Sequence, residues 1–221
     1  VEQMIYSDRQ PVTSVKIAKA DYHFAEEFHR EGKDFRDFGR NETWGELDQH
    51  YFFLADVTIP EQMEGHTVRA VLNTGADDIW NTDNPQIMAY VNGKFAATLD
   101  MNHQFIILSE HAKAGENYEL AFYAYSSAYA GTFTGTNFFR LELAVYREEA
   151  ARLYYDMQAI YEAADLLPED NLSRIEGFKA LEKCVNLLDL RKPGSAECFE
   201  SMKQAAQMLE DTYYATEDRT R

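Results

Sequence analysis

The sequence predicts a mainly β protein with added helices: an antiparallel β-sandwich of jelly-roll type over residues 1–146, then a helical segment of about three helices over residues 147–221. Three observations predict it. The apolar period is two before Tyr146 and between three and four after it. No long helical pattern interrupts the early strands, so they pair antiparallel rather than through crossover helices. Aromatic residues make up 14% of the chain, with 14 Tyr and 14 Phe, which suits a sheet-rich core of large side chains.

The strands follow in order. Val15 and Ile17 mark the first. Tyr51, Phe53, Ala55, Val57 and Ile59 alternate with more polar neighbours and stop at Pro60. Val68, Ala70 and Leu72 continue the pattern. Ile87, Ala89 and Val91 run into Asn92-Gly93, a type I′ hairpin signal, because both central residues of that turn need positive φ. A second alternating run follows the turn, and Phe105 to Leu108 form another. Tyr118, Leu120, Phe122 and Ala124 make a later strand, and Phe139, Leu141, Leu143 and Val145 the last, for seven or eight in all. The polar stretch from Asp21 to Trp44 reads as a long loop with one helical turn.

From Arg147 the period changes. Leu153, Met157, Ile160, Tyr161 and Ala164 share a helical face, and Pro168 ends that helix. Asp170 or Asn171 caps the next, which carries Ile175, Phe178, Leu181, Val185 and Leu188. Pro193-Gly194 breaks it, and Ser195 caps a third with Phe199, Met202, Ala206, Leu209 and Tyr213.

Charge and composition exclude several functions. The net charge of −17 repels phosphate backbones and anionic membranes, so neither nucleic acid nor a membrane is an expected partner. No apolar run reaches the length of a membrane span and no signal peptide is visible. The two cysteines, Cys184 and Cys198, form neither a disulfide framework nor a zinc pattern, and a cytoplasmic location is expected. The chain begins at Val1 without a methionine, so trimming of an N-terminal segment is expected too.

Few residues are placed for chemistry. The histidines form no His-x-His pair and no HExxH motif, and there is no Gly-x-Ser-x-Gly elbow. Asp77-Asp78 beside Trp80 reads as a solvated turn, with a sugar platform or calcium loop as the sharper alternative. The GTFTG stretch from Gly131 lacks the Lys-Ser/Thr of a phosphate loop. Asp100-Met101-Asn102-His103 is a polar knot at a strand junction. Asp100 and His103 would supply only two of the three or four ligands zinc needs, so a hydrogen-bonded corner is the expectation.

Three stretches together resemble the N-terminal region of the α-mannosidases of glycoside hydrolase family 38. They are WGELDQHYFFLADVTIPEQMEGHTVRAVLNT from Trp44, QIMAYVNGKFAATLDMNHQFIIL from Gln86, and EEAARLYYDMQAIYEAADLLPEDNLSRIEGFKALEKCVNLLDLR from Glu148. In that family a β-sandwich, galactose-binding-like in layout, carries a strand, an Asn-Gly turn and a Leu-Asp-x-Asn-His pattern. A helical connection and a catalytic α/β barrel follow it. The family's zinc motif, His-x-His-x-Asp, belongs to the barrel and occurs nowhere here. The resemblance therefore implies an N-terminal fragment with no catalytic, cofactor-binding or metal residue of its own. Its partners would be its own catalytic domain and, through the parent enzyme, a mannose-containing glycan; homo-oligomers fit as well. Zinc and the retaining mechanism belong to the parent's barrel.

Within this chain Asp100, Asn102 and His103 are the expected interdomain or cleft-rim contacts. Asp100 and Asn102 would hold the corner while His103 points outward. The alternative is an autonomous carbohydrate-binding module, with Trp44 and Trp80, and also Tyr90 and Tyr125, as stacking faces. A stand-alone interaction protein is a third reading.

Overall fold

The computed structural model describes residues 1–21, 27–75, 84–126 and 137–215. It contains two antiparallel sheets and three α-helices. The strands are β1 (Tyr6–Pro11), β2 (Val15–Ala20), β3 (Arg36–Phe38), β4 (Gln49–Thr58), β5 (Val68–Asn73), β6 (Gln86–Val91), β7 (Lys94–Leu99), β8 (Phe105–Ser109), β9 (Asn117–Ser126) and β10 (Arg140–Tyr146). One sheet has the order β1-β10-β5-β8 and the other β3-β2-β4-β9-β6-β7. The expected sandwich followed by helices is the architecture found. By its contacts the chain divides into two units, Asp8–Val145 and Val1–Ser7 with Tyr146–Arg221.

In the first unit the alternation does what period two requires. Tyr51, Phe53, Ala55 and Val57 of β4 face Leu120, Phe122 and Ala124 of β9 in one core with Leu141 and Leu143 of β10. Phe53 stacks on Phe139 with centroids 4.0 Å apart, and Phe122 meets Phe139 edge-on at 5.1 Å. The Asn92-Gly93 turn has φ of 50° and 80°, the type I′ geometry its residues imply.

The alternate positions of β4 are also apolar, and the structure shows why. Phe52 and Leu54, with Ala121 and Tyr123 of β9 and Tyr90 of β6, form a second core on the outer face of the six-stranded sheet. A strap over residues 27–35 covers it. Phe28 packs on Phe52 and Tyr90 at 5.0 and 5.8 Å, and the Lys33 ammonium sits 5.1 Å from both Phe28 and Phe52. The strap is held by Phe28 N–H donating to Gly93 O at 2.8 Å and by Arg30 on the Asp56 carboxylate at 2.5 Å. The stretch expected to be a loop with a helical turn is thus, in its described part, a strap followed by β3.

The second unit is built on α1 (Glu148–Asp165), α2 (Leu172–Leu187) and α3 (Ala196–Leu209). Their stripes meet in a core of Leu153, Ile160, Cys184, Cys198, Phe199, Met202 and Leu209, joined by Ile5. Asn171 caps α2 by accepting from Ser173 N at 2.9 Å and Arg174 N at 3.4 Å. Ser195 caps α3 by accepting from Cys198 N at 3.2 Å. The end of α1 is closed by Arg174, whose Nη1 donates to the carbonyls of Ala164, Asp165 and Leu167 at 3.0–3.1 Å. These are the orphan acceptors a helix C-terminus leaves. The N-terminal strip belongs to this unit: Arg147 N–H donates to Ile5 O at 2.9 Å and Arg147 Nε to Ser7 Oγ at 2.8 Å. No helix among the described residues is long and apolar enough to cross a membrane.

Candidate functional site

Register places one end of the six-stranded sheet where chemistry-bearing residues gather. Gln86 opens β6 opposite Tyr125 of β9, Gln49 opens β4 opposite Ser126, and Leu99 closes β7 opposite Ile87. The chain leaves this end at Asp100 and crosses to the other sheet, where Gln104 O accepts from Leu72 N at 2.7 Å. Two arrangements stand here.

The first is the corner at residues 100–104. One oxygen of Asp100 accepts the backbone N–H of Asn102 and of His103, both at 2.8 Å, and lies 3.1 Å from His103 Nδ1. Asp100 N–H donates to His103 O at 3.0 Å, closing the loop. Burial alone would push the Asp100 carboxyl up; the donations from His103 and Asn102 outweigh it and hold the group below its ordinary range. The Asp100 side chain is 24% exposed and the His103 side chain 76%.

The expectation for Asn102 needs correcting. Its amide is exposed, and no hydrogen bond from it is present among the described residues. The second brace of the corner is Asn84, whose Oδ1 accepts from Met101 N at 3.1 Å. Only the backbone N–H of Asn102 takes part.

The second arrangement lies on the outer face. Asp48, His50, Tyr123 and Tyr125 are brought together by β4 and β9. Tyr125 OH donates to Asp48 Oδ1 at 2.6 Å, and Tyr123 OH lies 2.5 Å from His50 Nδ1. The His50 ring stacks on Tyr125 at 4.7 Å and on Tyr123 at 5.5 Å. The bond to Asp48 is the first cause that raises the Tyr125 hydroxyl above its ordinary range. Of these four, only Tyr125 was singled out from sequence. The signal available was His50, Phe52 and Leu54 alternating on the supposedly solvated side of β4.

The remaining aromatic candidates divide. Trp44 is 4% exposed. Its ring packs edge-on against Tyr51 and Phe53 at 5.4 and 5.2 Å, and its Nε1 donates to Phe138 O at 3.2 Å. It is a core residue and presents no face to a sugar, which corrects the stacking expectation. Tyr90 is fully buried under Phe28. Trp80, like Asp77, Asp78 and the GTFTG stretch, lies outside the described residues.

A cleft of about 610 Å³ beside Trp44 is lined by Lys19, Asp34, Arg36, Glu46 and Tyr51. Its bases are already engaged, Lys19 by Glu46 at 3.0 Å and Arg36 by Glu42 at 2.6 Å. Among the described residues no group of three or more His, Cys, Asp or Glu is placed to hold a metal ion.

No protein-family model matches the chain, and no curated protein matches it. Solved structures do match. A β-glucuronidase from Bacteroides uniformis is 15% identical, with a TM-score of 0.44, over 63% of this chain and 18% of that one. A β-glucuronidase from Ruminococcus gnavus is 8% identical, with a TM-score of 0.43, over 65% of this chain and 30% of that one. The chain thus corresponds to less than a third of the length of these glycosidases.

Proposed function

We propose that the chain is the non-catalytic N-terminal domain of an α-mannosidase-type glycoside hydrolase. There it would support the catalytic barrel, its oligomerisation or its substrate cleft. The observation that carries this reading is the Asp100 corner. The Leu-Asp-x-Asn-His pattern of the sequence resemblance has a structural reason here, since one aspartate oxygen takes up two backbone donors and the histidine ring. The ring is left largely exposed, where a neighbouring domain can reach it.

Two further features support the reading. The helical unit exposes large apolar side chains, among them Leu166 at 88% and Leu172 at 75%, as a surface made for a further domain would. Among the described residues, the carboxyls of Glu42, Asp56, Asp100 and Asp189 are displaced downward. A glycosidase's general acid needs the opposite. In this reading the partner is the enzyme's own barrel, which holds the zinc, and a mannose-containing glycan is the substrate of the whole enzyme. A cytoplasmic location accords with Cys184 and Cys198, both buried as free thiols.

The gene beyond the codon for Arg221 tests the proposal. A strand carrying His-x-His-x-Asp within the next stretch of coding sequence is expected. A reading frame that closes, or continues into a different domain, overturns it.

A further inference from the structure

We propose that the outer face of the six-stranded sheet carries a binding site for a neutral pyranoside, with Tyr125 as the stacking platform and Asp48 and Gln86 as hydrogen-bonding groups. The inference goes beyond the domain role above and stands without it. Register puts His50 opposite Tyr125 and Tyr125 opposite Gln86, so three side chains stand side by side on one face. His50 stacks on Tyr125 with an interplanar angle of 26°, which sets the plane of the tyrosine ring. Asp48 takes the Tyr125 hydroxyl at 2.6 Å, which sets its far end. Tyr123 in turn holds His50 through its hydroxyl. The platform is therefore fixed before any ligand arrives, and a fixed side chain loses little freedom on binding.

Accessibility distinguishes this row from the next. Phe52 and Tyr123 are buried, whereas Tyr125 and His50 are part-exposed and Asp48 and Gln86 exposed. Gln86 is only lightly engaged, its Nε2 lying 3.4 Å from Asn84 O.

The chemistry selects the ligand class. A pyranose offers an apolar C–H face to an aromatic ring and a rim of hydroxyls that can donate to a carboxylate and exchange hydrogen bonds with an amide. The row holds one carboxylate and no Lys or Arg, and the chain carries a net charge of −17. A uronate would meet like charge, so a neutral sugar fits better than an acidic one.

Titration of this chain with methyl α-mannopyranoside, methyl β-galactopyranoside and sodium glucuronate, followed by amide chemical shifts, tests the site. Saturable binding of a neutral glycoside with Kd on the order of 1 mM is expected, tighter than that of glucuronate. Tyr125→Ala should weaken it by about tenfold. Tyr125→Phe, which keeps the ring, should weaken it less, and Gln86→Ala should weaken it without altering the fold's amide pattern. Absence of saturable binding of both neutral glycosides by the folded chain overturns the proposal. So does binding unchanged by both Tyr125→Ala and Gln86→Ala, or glucuronate binding tightest. What the gene encodes after Arg221 decides the domain role separately and leaves this result untouched.

Discussion

The His103 backbone N–H and its imidazole Nδ1 both rest on the same oxygen of Asp100, at 2.8 and 3.1 Å. Asp100 is thus the residue that turns the chain from one sheet to the other, and His103 is carried on it. Asp100→Ala should destabilise the chain by about 2 kcal/mol, the scale of losing charge-assisted bonds to a carboxylate. Asn102→Ala should change stability by less than about 0.5 kcal/mol, because its side chain is exposed. Urea denaturation of the two variants checks the contrast. The pH dependence has a definite sign. A carboxyl held below its ordinary range stabilises the fold above the unfolded pKa of about 3.9. That stabilisation is lost as pH falls through the lower folded value. The stability difference between wild type and Asp100→Ala should therefore shrink as pH falls below about 4.

The strap over residues 27–35 is held more by apolar burial than by its ion pair. Phe28 is buried against Phe52 and Tyr90, whereas the Asp56 carboxylate that grips Arg30 is mostly exposed. Phe28→Ala should cost about 3 kcal/mol. Arg30→Ala should cost about 1 kcal/mol or less. Hydrogen exchange should find the Phe28 amide, which donates to Gly93 O, less protected in both variants, and far less in the first.

Gly45 is a glycine for two reasons at once. Its φ is 115°, and a Cβ there would sit 2.8 Å from both Asn137 Nδ2 and Ser126 Oγ. Gly45→Ala should cost about 3 kcal/mol, from backbone strain and overpacking together. Ser126 Oγ is buried with no hydrogen-bond partner among the described residues, so Ser126→Ala should be close to neutral alone. It should also recover part of the Gly45→Ala loss. Thermal melts of the two single variants and the double variant check this, and strict additivity would contradict the shared contact.

In the helical unit one guanidinium group closes the end of α1. Arg174→Met keeps the aliphatic stem but removes the donors to Ala164, Asp165 and Leu167. A loss of about 2 kcal/mol is expected, larger than the roughly 1 kcal/mol expected from removing the Asn171 cap by substitution with Ala. Denaturation monitored by helical circular dichroism measures both.

Much of this fold was legible because it rests on local periodicity. Alternation located β4, β5, β6, β9 and β10; Asn92-Gly93 specified its turn; Ser195 announced its cap, and Asn171 was one of two candidates, with Asp170, for the other. What was hidden depends on distant partners. The strap reads as a polar loop because only Phe28 and Phe35 carry its burial, and their partners Phe52 and Tyr90 lie on strands remote in sequence. Trp44 reads as a platform in sequence because nothing local shows that Tyr51, Phe53 and Phe138 enclose it. At the corner, Asp100 could be read from turn chemistry, while Asn84 could not, since it braces Met101 from the segment before β6. His50 and Asp48 were missed for the same reason: each finds its tyrosine through the β4–β9 register.

The central claim is that this chain is a non-catalytic part of an α-mannosidase-type enzyme. The most direct measurement is hydrolysis of 4-nitrophenyl α-mannoside by the 221-residue chain beside any longer polypeptide that its gene encodes. The account predicts turnover by the longer polypeptide only, with His103→Ala lowering that turnover while leaving the melting of the 221-residue chain nearly unchanged, because the ring is largely exposed. Turnover by the 221-residue chain itself, abolished by substitution of one of its own residues, would contradict it.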